Sequence, residues 1–333
     1  MERFLAFGEV LIRYTNKDNN IYSNGNLVEY FYGGSEANIA ATLSGLGVET
    51  SILSAIPKNN MCDDIVRHFK GLGVNTKYIL RSGEKMGFYF TERGTGVRGD
   101  SVIYDRKNSA FSKLTVEEID PQEVLKDITW FHFSGITAAV SEGVREILKK
   151  LVLKAKDNKI TISMDLNYRS KMWGIKEAKD FLSEIAPYVD ICFGIEPIKG
   201  SDDDYDLFNR DEASAQDIED RMKLLKDRYK FKCIFHTERK NNSENSNSYK
   251  AYAYSDKLYE SKTLKTNMIE RVGSGDAFVS GIIYGLINNY SLKETIDFGV
   301  ASATLKCTIK GDHMIVSENS IKEIGNMKIA INR

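Results

Sequence analysis

The amino-acid sequence predicts an α/β fold: a mostly parallel sheet with helices on both faces and a small β-lid. Three observations carry that prediction. Short apolar runs alternate with longer amphipathic ones, the β-then-α rhythm of a parallel sheet wrapped by helices. Several apolar runs end in small or polar residues, as at Ser134-Gly135, Asp165-Leu166-Asn167 and Gly194. In such sheets ligands collect at the carboxyl ends of the strands. Two further stretches, 12–32 and 85–107, are rich in Tyr, Phe, Thr, Arg and Gly and break the rhythm.

In chain order, strands are expected over 4–7, 50–55, 130–134, 160–165, 191–194 and 232–236, each a short apolar run. Helices are expected over 36–46, 63–72, 141–157, 176–185 and 214–229, where apolar residues recur at helical spacing. Gly71-Leu72-Gly73 follows a helix rather than a strand, so it reads as a helix end and not as a dinucleotide fingerprint. Gly87-Phe88-Tyr89-Phe90-Thr91 and Ser101-Val102-Ile103-Tyr104-Asp105-Arg106 read as antiparallel strands outside the main sheet. A flap over a strand-end site accounts for both. No linker divides the chain, so residues 1–333 are read as one domain, with lid segments at about 12–32 and 85–107. The stretch 239–248 reads as a solvated polar loop. Asp202-Asp203-Asp204 reads as an exposed loop rather than a metal site.

The 333 residues carry 46 basic and 47 acidic side chains, a net charge of −1. That balance argues against nucleic acid as a main partner, because phosphate backbones need a basic face. No apolar run approaches the ~20 residues of a membrane helix. The N-terminus enters a strand-like run at once, so no signal peptide is expected. The four cysteines are scattered without a CxxC pattern or a zinc-spaced histidine pair. They read as buried thiols in a reducing cytoplasm.

The segment Gly273-Ser274-Gly275-Asp276-Ala277-Phe278 carries the chemistry. Gly-Ser-Gly disfavours a helix interior, whereas the run after it is apolar and helical in pattern. A glycine turn therefore feeds a buried helix. Free N–H groups and the helix dipole favour an anion there, and glycine lets a phosphate approach the backbone. Asp276 has two readings on this motif alone. It satisfies the dipole, or it is a carboxylate placed to take a proton from an attacking hydroxyl. No Gly-Lys-Ser/Thr follows, which excludes a Walker-type loop.

This motif resembles the C-terminal signature of the ribokinase-like (PfkB) carbohydrate kinases. Tyr32-Gly33-Gly34-Ser35-Glu36-Ala37-Asn38, with Leu43-Ser44-Gly45-Leu46-Gly47, resembles their N-terminal signature, about 240 residues earlier. Within the family, four segments resemble the 2-keto-3-deoxygluconate kinases. They are Asp165-Leu166-Asn167-Tyr168-Arg169 with Trp173, Ile103-Tyr104-Asp105-Arg106 with Ser109-Ala110, Phe133-Ser134-Gly135-Ile136, and Lys310-Gly311-Asp312-His313. The resemblance implies a ribokinase-like fold, ATP as donor, Mg²⁺, and phosphorylation of 2-keto-3-deoxygluconate at its C6 hydroxyl.

It also implies roles. Asp276 is the expected catalytic residue. Gly33, Gly34, Asn38, Tyr89, Tyr104, Arg106, Asn167, Arg169 and Asp312 are the expected substrate set. Gly194, Glu196, Thr237, Gly273, Ser274 and Gly275 are expected to hold ATP, and metal ligands stay unassigned. A sugar acid carries a carboxylate, which guanidinium groups bind by charge-assisted forks. That chemistry favours Arg106 and Arg169, although each alone also reads as a surface salt bridge. Two departures stand out. Only Glu196 matches the acidic strand end near the metal, and Thr237-Glu238-Arg239-Lys240 lacks the glycine of a nucleotide turn. The competing functions are another ribokinase-like activity such as fructokinase, and a non-catalytic sugar- or nucleotide-binding regulator. A cytoplasmic homo-oligomer is expected, with the lids as the candidate dimer contact.

Overall fold

The computed structural model describes residues 2–19, 21–22, 27–94, 97–210, 212–241 and 246–326. The chain forms a ribokinase-like α/β fold. Its strands are β1 (Arg3–Phe7), β2 (Leu11–Asn16), β3 (Val28–Gly33), β4 (Glu49–Ile56), β5 (Ile79–Arg81), β6 (Gly87–Glu92) and β7 (Ser101–Asp105). The second half adds β8 (Trp130–Ser134), β9 (Thr161–Asp165), β10 (Ile191–Phe193), β11 (Cys233–Asn241), β12 (Ser246–Tyr254), β13 (Leu258–Glu260) and β14 (Leu264–Asn267). Helices are α1 (Ser35–Gly45), α2 (Asn60–Gly71), α3 (Pro121–Val124), α4 (Gly135–Ala139) and α5 (Glu142–Asp157). They continue with α6 (Ile175–Ile185), α7 (Ala215–Tyr229), α8 (Ser274–Ile287), α9 (Leu292–Lys306) and α10 (Glu318–Asn326).

Among the described residues, a ten-stranded sheet runs in the order β13-β12-β11-β10-β9-β8-β1-β4-β5, with β14 also on β12. Pairing is parallel from β5 to β11 and antiparallel from β11 onward. Alternation along β1 divides the core. Phe4 and Ala6 pack with α1, α2, α8 and α9, and Leu5 and Phe7 pack with α5, α6 and α7. Successive strand residues point to opposite faces, so a run buried on both faces is apolar throughout. Helix starts follow capping chemistry: the Ser141 side chain accepts from Val144 N–H, and Ser214 with Asp217 forms a capping box.

A smaller four-stranded sheet has the order β3-β2-β6-β7. Its strands fall in or beside the stretches 12–32 and 85–107; residues 20, 23–26 and 95–96 of those stretches lie outside the described residues. One row across it is Phe31-Arg13-Tyr89-Tyr104, and the next is Tyr30-Tyr14-Phe90-Ile103. Neighbouring rows face opposite sides.

One loop reading changes. Arg239 and Lys240 extend β11, and Ser246 to Ser248 begin β12, so both flanks of the polar stretch are paired strand; residues 242–245 lie outside the described residues. Asp202 and Asp203 lie exposed in a loop, as expected, while Asp204 pairs with Lys179 at 2.6 Å and Arg221 at 2.8 Å. All four cysteines are buried and free. Among the described residues no helix is long and apolar enough to cross a membrane.

Candidate active site

A cleft of about 1760 Å³ lies between the carboxyl ends of the parallel strands, the first turns of α1 and α8, and the smaller sheet. That exceeds the roughly 300–1,000 Å³ of a pocket for one small ligand. Two glycines set the helix starts. Gly34 has φ +127°, and a Cβ there would fall on the carbonyl oxygen of Glu9. Gly273 has φ +78°, and a Cβ there would fall on the carbonyl oxygen of Asp312. Only glycine meets both demands without strain.

Asp276, in the first turn of α8, is held at both oxygens. Ser35 Oγ donates to Oδ1 at 2.8 Å, and Asn38 Nδ2 donates to Oδ2 at 2.7 Å. Asn167 Nδ2 donates in turn to Ser35 Oγ at 3.2 Å. Burial pushes the Asp276 carboxyl up to about 6, against the lowering effect of Asn38 and Ser35. Asp165, at the end of β9, is pushed up to about 7 by burial and then by the Asp276 charge. Its Oδ1 accepts from Asn167 N–H at 3.1 Å.

Ala277 N–H bonds Gly273 and Ser274 N–H bonds the Arg271 carbonyl, while Gly275 and Asp276 N–H find no backbone acceptor among the described residues. A Cβ on Gly275 would meet nothing within 4 Å. The turn thus offers donors and open space to an anion.

Arg13, on β2, is fully buried. It donates through Nε to Asp312 at 2.8 Å and through Nη1 to Glu270 at 2.6 Å, and its guanidinium lies 4.4 Å from the Phe31 ring centroid. Burial alone would lower its pKa; Asp312, Tyr89 and Glu270 outweigh that and raise it. Glu270 also accepts from Gly311 N–H at 2.6 Å. One arginine therefore ties the smaller sheet to the loops on both sides of the glycine turn.

Of the expected site residues, Gly34, Asn38, Tyr89, Tyr104, Arg106, Asn167, Arg169, Gly194, Glu196, Thr237, Gly273, Ser274, Gly275 and Asp276 line the cleft. Gly33 and Asp312 do not. Asp312 is buried against Arg13 and accepts the Tyr89 hydroxyl at 3.0 Å, and Gly33 is backed by its carboxylate. Tyr89 accordingly offers the cleft its ring rather than a free hydroxyl. Glu196 has partners that the sequence did not show. Its carboxylate, which lines the cleft, pairs with Arg221 at 2.8 Å and Lys179 at 3.3 Å and accepts from Phe208 N–H. Arg106 Nε is held by Glu9 at 2.6 Å, whereas the exposed guanidinium of Arg169 has no ion-pair partner among the described residues. Among those residues no three acids, histidines or cysteines cluster to hold a metal. Sequence reasoning passed over Ser35, Arg13 and Glu270. Ser35 stood inside the N-terminal signature, and Glu270 opened the glycine segment, but neither showed its partner.

A clamped carboxylate of raised pKa beside free helix amides can take a proton while an anion is held. Fold and site together define a phosphotransferase acting on sugars. The chain belongs to the pfkB family of carbohydrate kinases, whose model matches residues 1–317. It is 27% identical to the 2-dehydro-3-deoxygalactonokinase of Haloferax volcanii, over 96% of this chain and 95% of that one. It is 30% identical to a 5-dehydro-2-deoxygluconokinase of Clostridium botulinum, over 90% and 86%. The crystal structure of 2-dehydro-3-deoxygluconokinase from Thermotoga maritima superposes with a TM-score of 0.93 at 29% identity, covering 98% of this chain and 100% of that one.

Proposed function

We infer that this kinase transfers the γ-phosphoryl group of ATP to the C6 hydroxyl of 2-keto-3-deoxygluconate. The observation that carries the reading is the clamp of Ser35 and Asn38 on Asp276, next to the open turn at Gly275. The substrate hydroxyl gives its proton to Asp276, its oxygen bonds the γ-phosphorus, and the bond to ADP breaks. Amides of the α8 first turn stabilise charge on the moving phosphoryl group. Mg²⁺ bound together with ATP would neutralise phosphate charge, and among the described residues no cluster of three acids, histidines or cysteines would hold it apart from the nucleotide.

Arg169 supports an acid substrate, since an unpaired guanidinium at a strand end suits a carboxylate. The three relatives named above support it too, because each is named for a dehydro-deoxy sugar acid. We take the smaller sheet as a lid over the cleft of a single domain. Its outer row includes exposed Tyr30 and Ile103, and we assign that face to a second copy of the chain. Buried free thiols support a reducing compartment such as the cytoplasm for the reaction. The test is ADP release with 2-keto-3-deoxygluconate, its galacto epimer, 5-keto-2-deoxygluconate, fructose and ribose. Highest kcat/KM on the first supports the reading; turnover of neutral sugars alone, or none at all, overturns it.

A further inference from the structure

Two arginines that the transfer step leaves unused, Arg239 and Arg271, line the same cleft. Arg239 lies on β11 two residues beyond Thr237, in register with Tyr249, and its guanidinium is 5.8 Å from that ring's centroid. Arg271 lies two residues before Gly273. Neither guanidinium has an ion-pair partner among the described residues. The carboxylates beside them in sequence are occupied. Glu238 pairs with Lys240 at 2.9 Å and accepts the Tyr252 hydroxyl at 3.0 Å. Glu270 is taken by Arg13, with Arg93 at 3.4 Å.

The two cations feel each other. Desolvation in the cleft and then the Arg239 charge lower the pKa of Arg271, while Asp100, in the loop before β7, acts the other way. Like charges held together without a bridging acid are relieved when an anion enters. The chain also shows which anion. The segment after Thr237 has no glycine to bring backbone amides to a phosphate. Glu196, the strand-end acid expected near the metal, is neutralised by Lys179 and Arg221. Fixed positive charge for a nucleotide polyphosphate must then come from side chains, and the planar guanidinium fork suits phosphate oxygens.

We propose that Arg239 and Arg271 form a guanidinium pair that holds the β-phosphate of the nucleotide, in ADP as in ATP. The pair does the work of a glycine-rich turn, which is absent after Thr237. This rests on the reading of the cleft as an ATP site.

Calorimetric titration of the whole protein with ADP and with AMP, without sugar, tests it. Arg239→Ala and Arg271→Ala should each weaken ADP binding about 10-fold and AMP binding less than about 2-fold. Arg271→Lys should recover part of the loss, because a point charge remains without the fork. ADP binding by the wild type should fall with added salt more steeply than in either alanine variant. Thermal melts accompany each variant, and glutamine replaces any alanine that does not melt cooperatively. Equal losses for ADP and AMP, or no loss, overturn the pair while the ATP site stands. A wild type that binds neither nucleotide overturns the ATP site and the pair together.

Discussion

Asn38 Nδ2 donates to Asp276 Oδ2 at 2.7 Å across 238 positions of sequence. That bond joins the first turns of two helices, each started by a glycine of positive φ. With Ser35 on the other oxygen, the carboxylate has one orientation and no freedom to turn from the cleft. Hydrogen bonds favour its charged form and burial opposes it, and burial wins.

Asp276→Asn should therefore cut kcat by roughly 10²–10⁴-fold while leaving ADP affinity near the wild-type value. In the wild type, kcat/KM should fall on the acid side with an apparent pKa near 6, where Asp276 becomes protonated. Steady-state rates from pH 5 to 9 show both. Near wild-type turnover in the variant removes Asp276 from proton transfer.

Ser35→Ala tests the clamp without touching the reacting atoms. The lost hydrogen bond favoured the charged carboxylate, so the acid limb should move to higher pH, with little change in kcat at pH 8.5. A purely structural serine would lower the melting temperature and leave the limb where it was.

The two glycines of the turn should fail differently. Gly273→Ala puts a Cβ on the Asp312 carbonyl and asks an L-residue to hold φ +78°. It should cost several kcal/mol and show first in the melt. Gly275→Val enters open space in a helical turn, so it should fold, yet lose at least about 100-fold in kcat/KM by crowding the phosphate approach. A folded and fully active Gly275→Val shows that phosphate does not lie there.

Asp165 makes a prediction about stability. Its folded pKa of about 7 lies above its ordinary 3.8. A carboxyl raised on folding stabilises at low pH and loses that contribution as pH climbs through the folded value. Asp165→Asn keeps an oxygen for Asn167 N–H and removes the charge. It should raise the melting temperature at pH 8 by about 2–6 °C, with the gain shrinking at pH 5 and vanishing only below the unfolded value of 3.8. Equal shifts at both pH values would show that charge is not the cause.

The parallel half of the fold was legible because strands buried on both faces are largely apolar, as in Phe4, Leu5, Ala6 and Phe7. The antiparallel edge was not. In β12 the buried Tyr249, Ala251 and Ala253 face one core and Tyr252 and Tyr254 the other, but the strand starts inside the polar stretch 239–248, whose composition outweighed them. In the site, the two glycine motifs marked the helix starts and the carboxylate clamped between them. Asp312 misled because a carboxylate in a recognisable segment reads as substrate-facing. Its real partner, Arg13, lies 299 positions away in a strand of Tyr and Thr that looks solvent-exposed. Pairing between distant charges is set by tertiary packing and leaves no local pattern. The pairing of Glu196 was hidden for the same reason, since Lys179 and Arg221 reach it from two helices.

Specificity falls unequally on the two arginines. Arg106 is 7% exposed and its Nε is committed to Glu9, a carboxylate itself buried. Removing Arg106 strands that charge, so Arg106→Ala should lose about 3–5 kcal/mol of stability and show it in denaturant melts. Its effect on rate will mix fold with recognition. Arg169 is exposed at the cleft and free of ion pairs among the described residues, so its loss reports on the ligand. A charge-assisted hydrogen bond is worth about 1.5–3 kcal/mol, so Arg169→Ala should cost on the order of 10- to 100-fold in kcat/KM on 2-keto-3-deoxygluconate. On a neutral analogue with a hydroxymethyl in place of the carboxylate, the same change should cost less than about 3-fold. Lysine at 169 should rescue in part, because an ammonium cannot make the planar fork. Rates of wild type, Arg169→Ala and Arg169→Lys on both compounds decide it. Equal losses on both would mean that Arg169 serves the nucleotide or the lid, and the substrate would retreat from a sugar acid to an unspecified sugar.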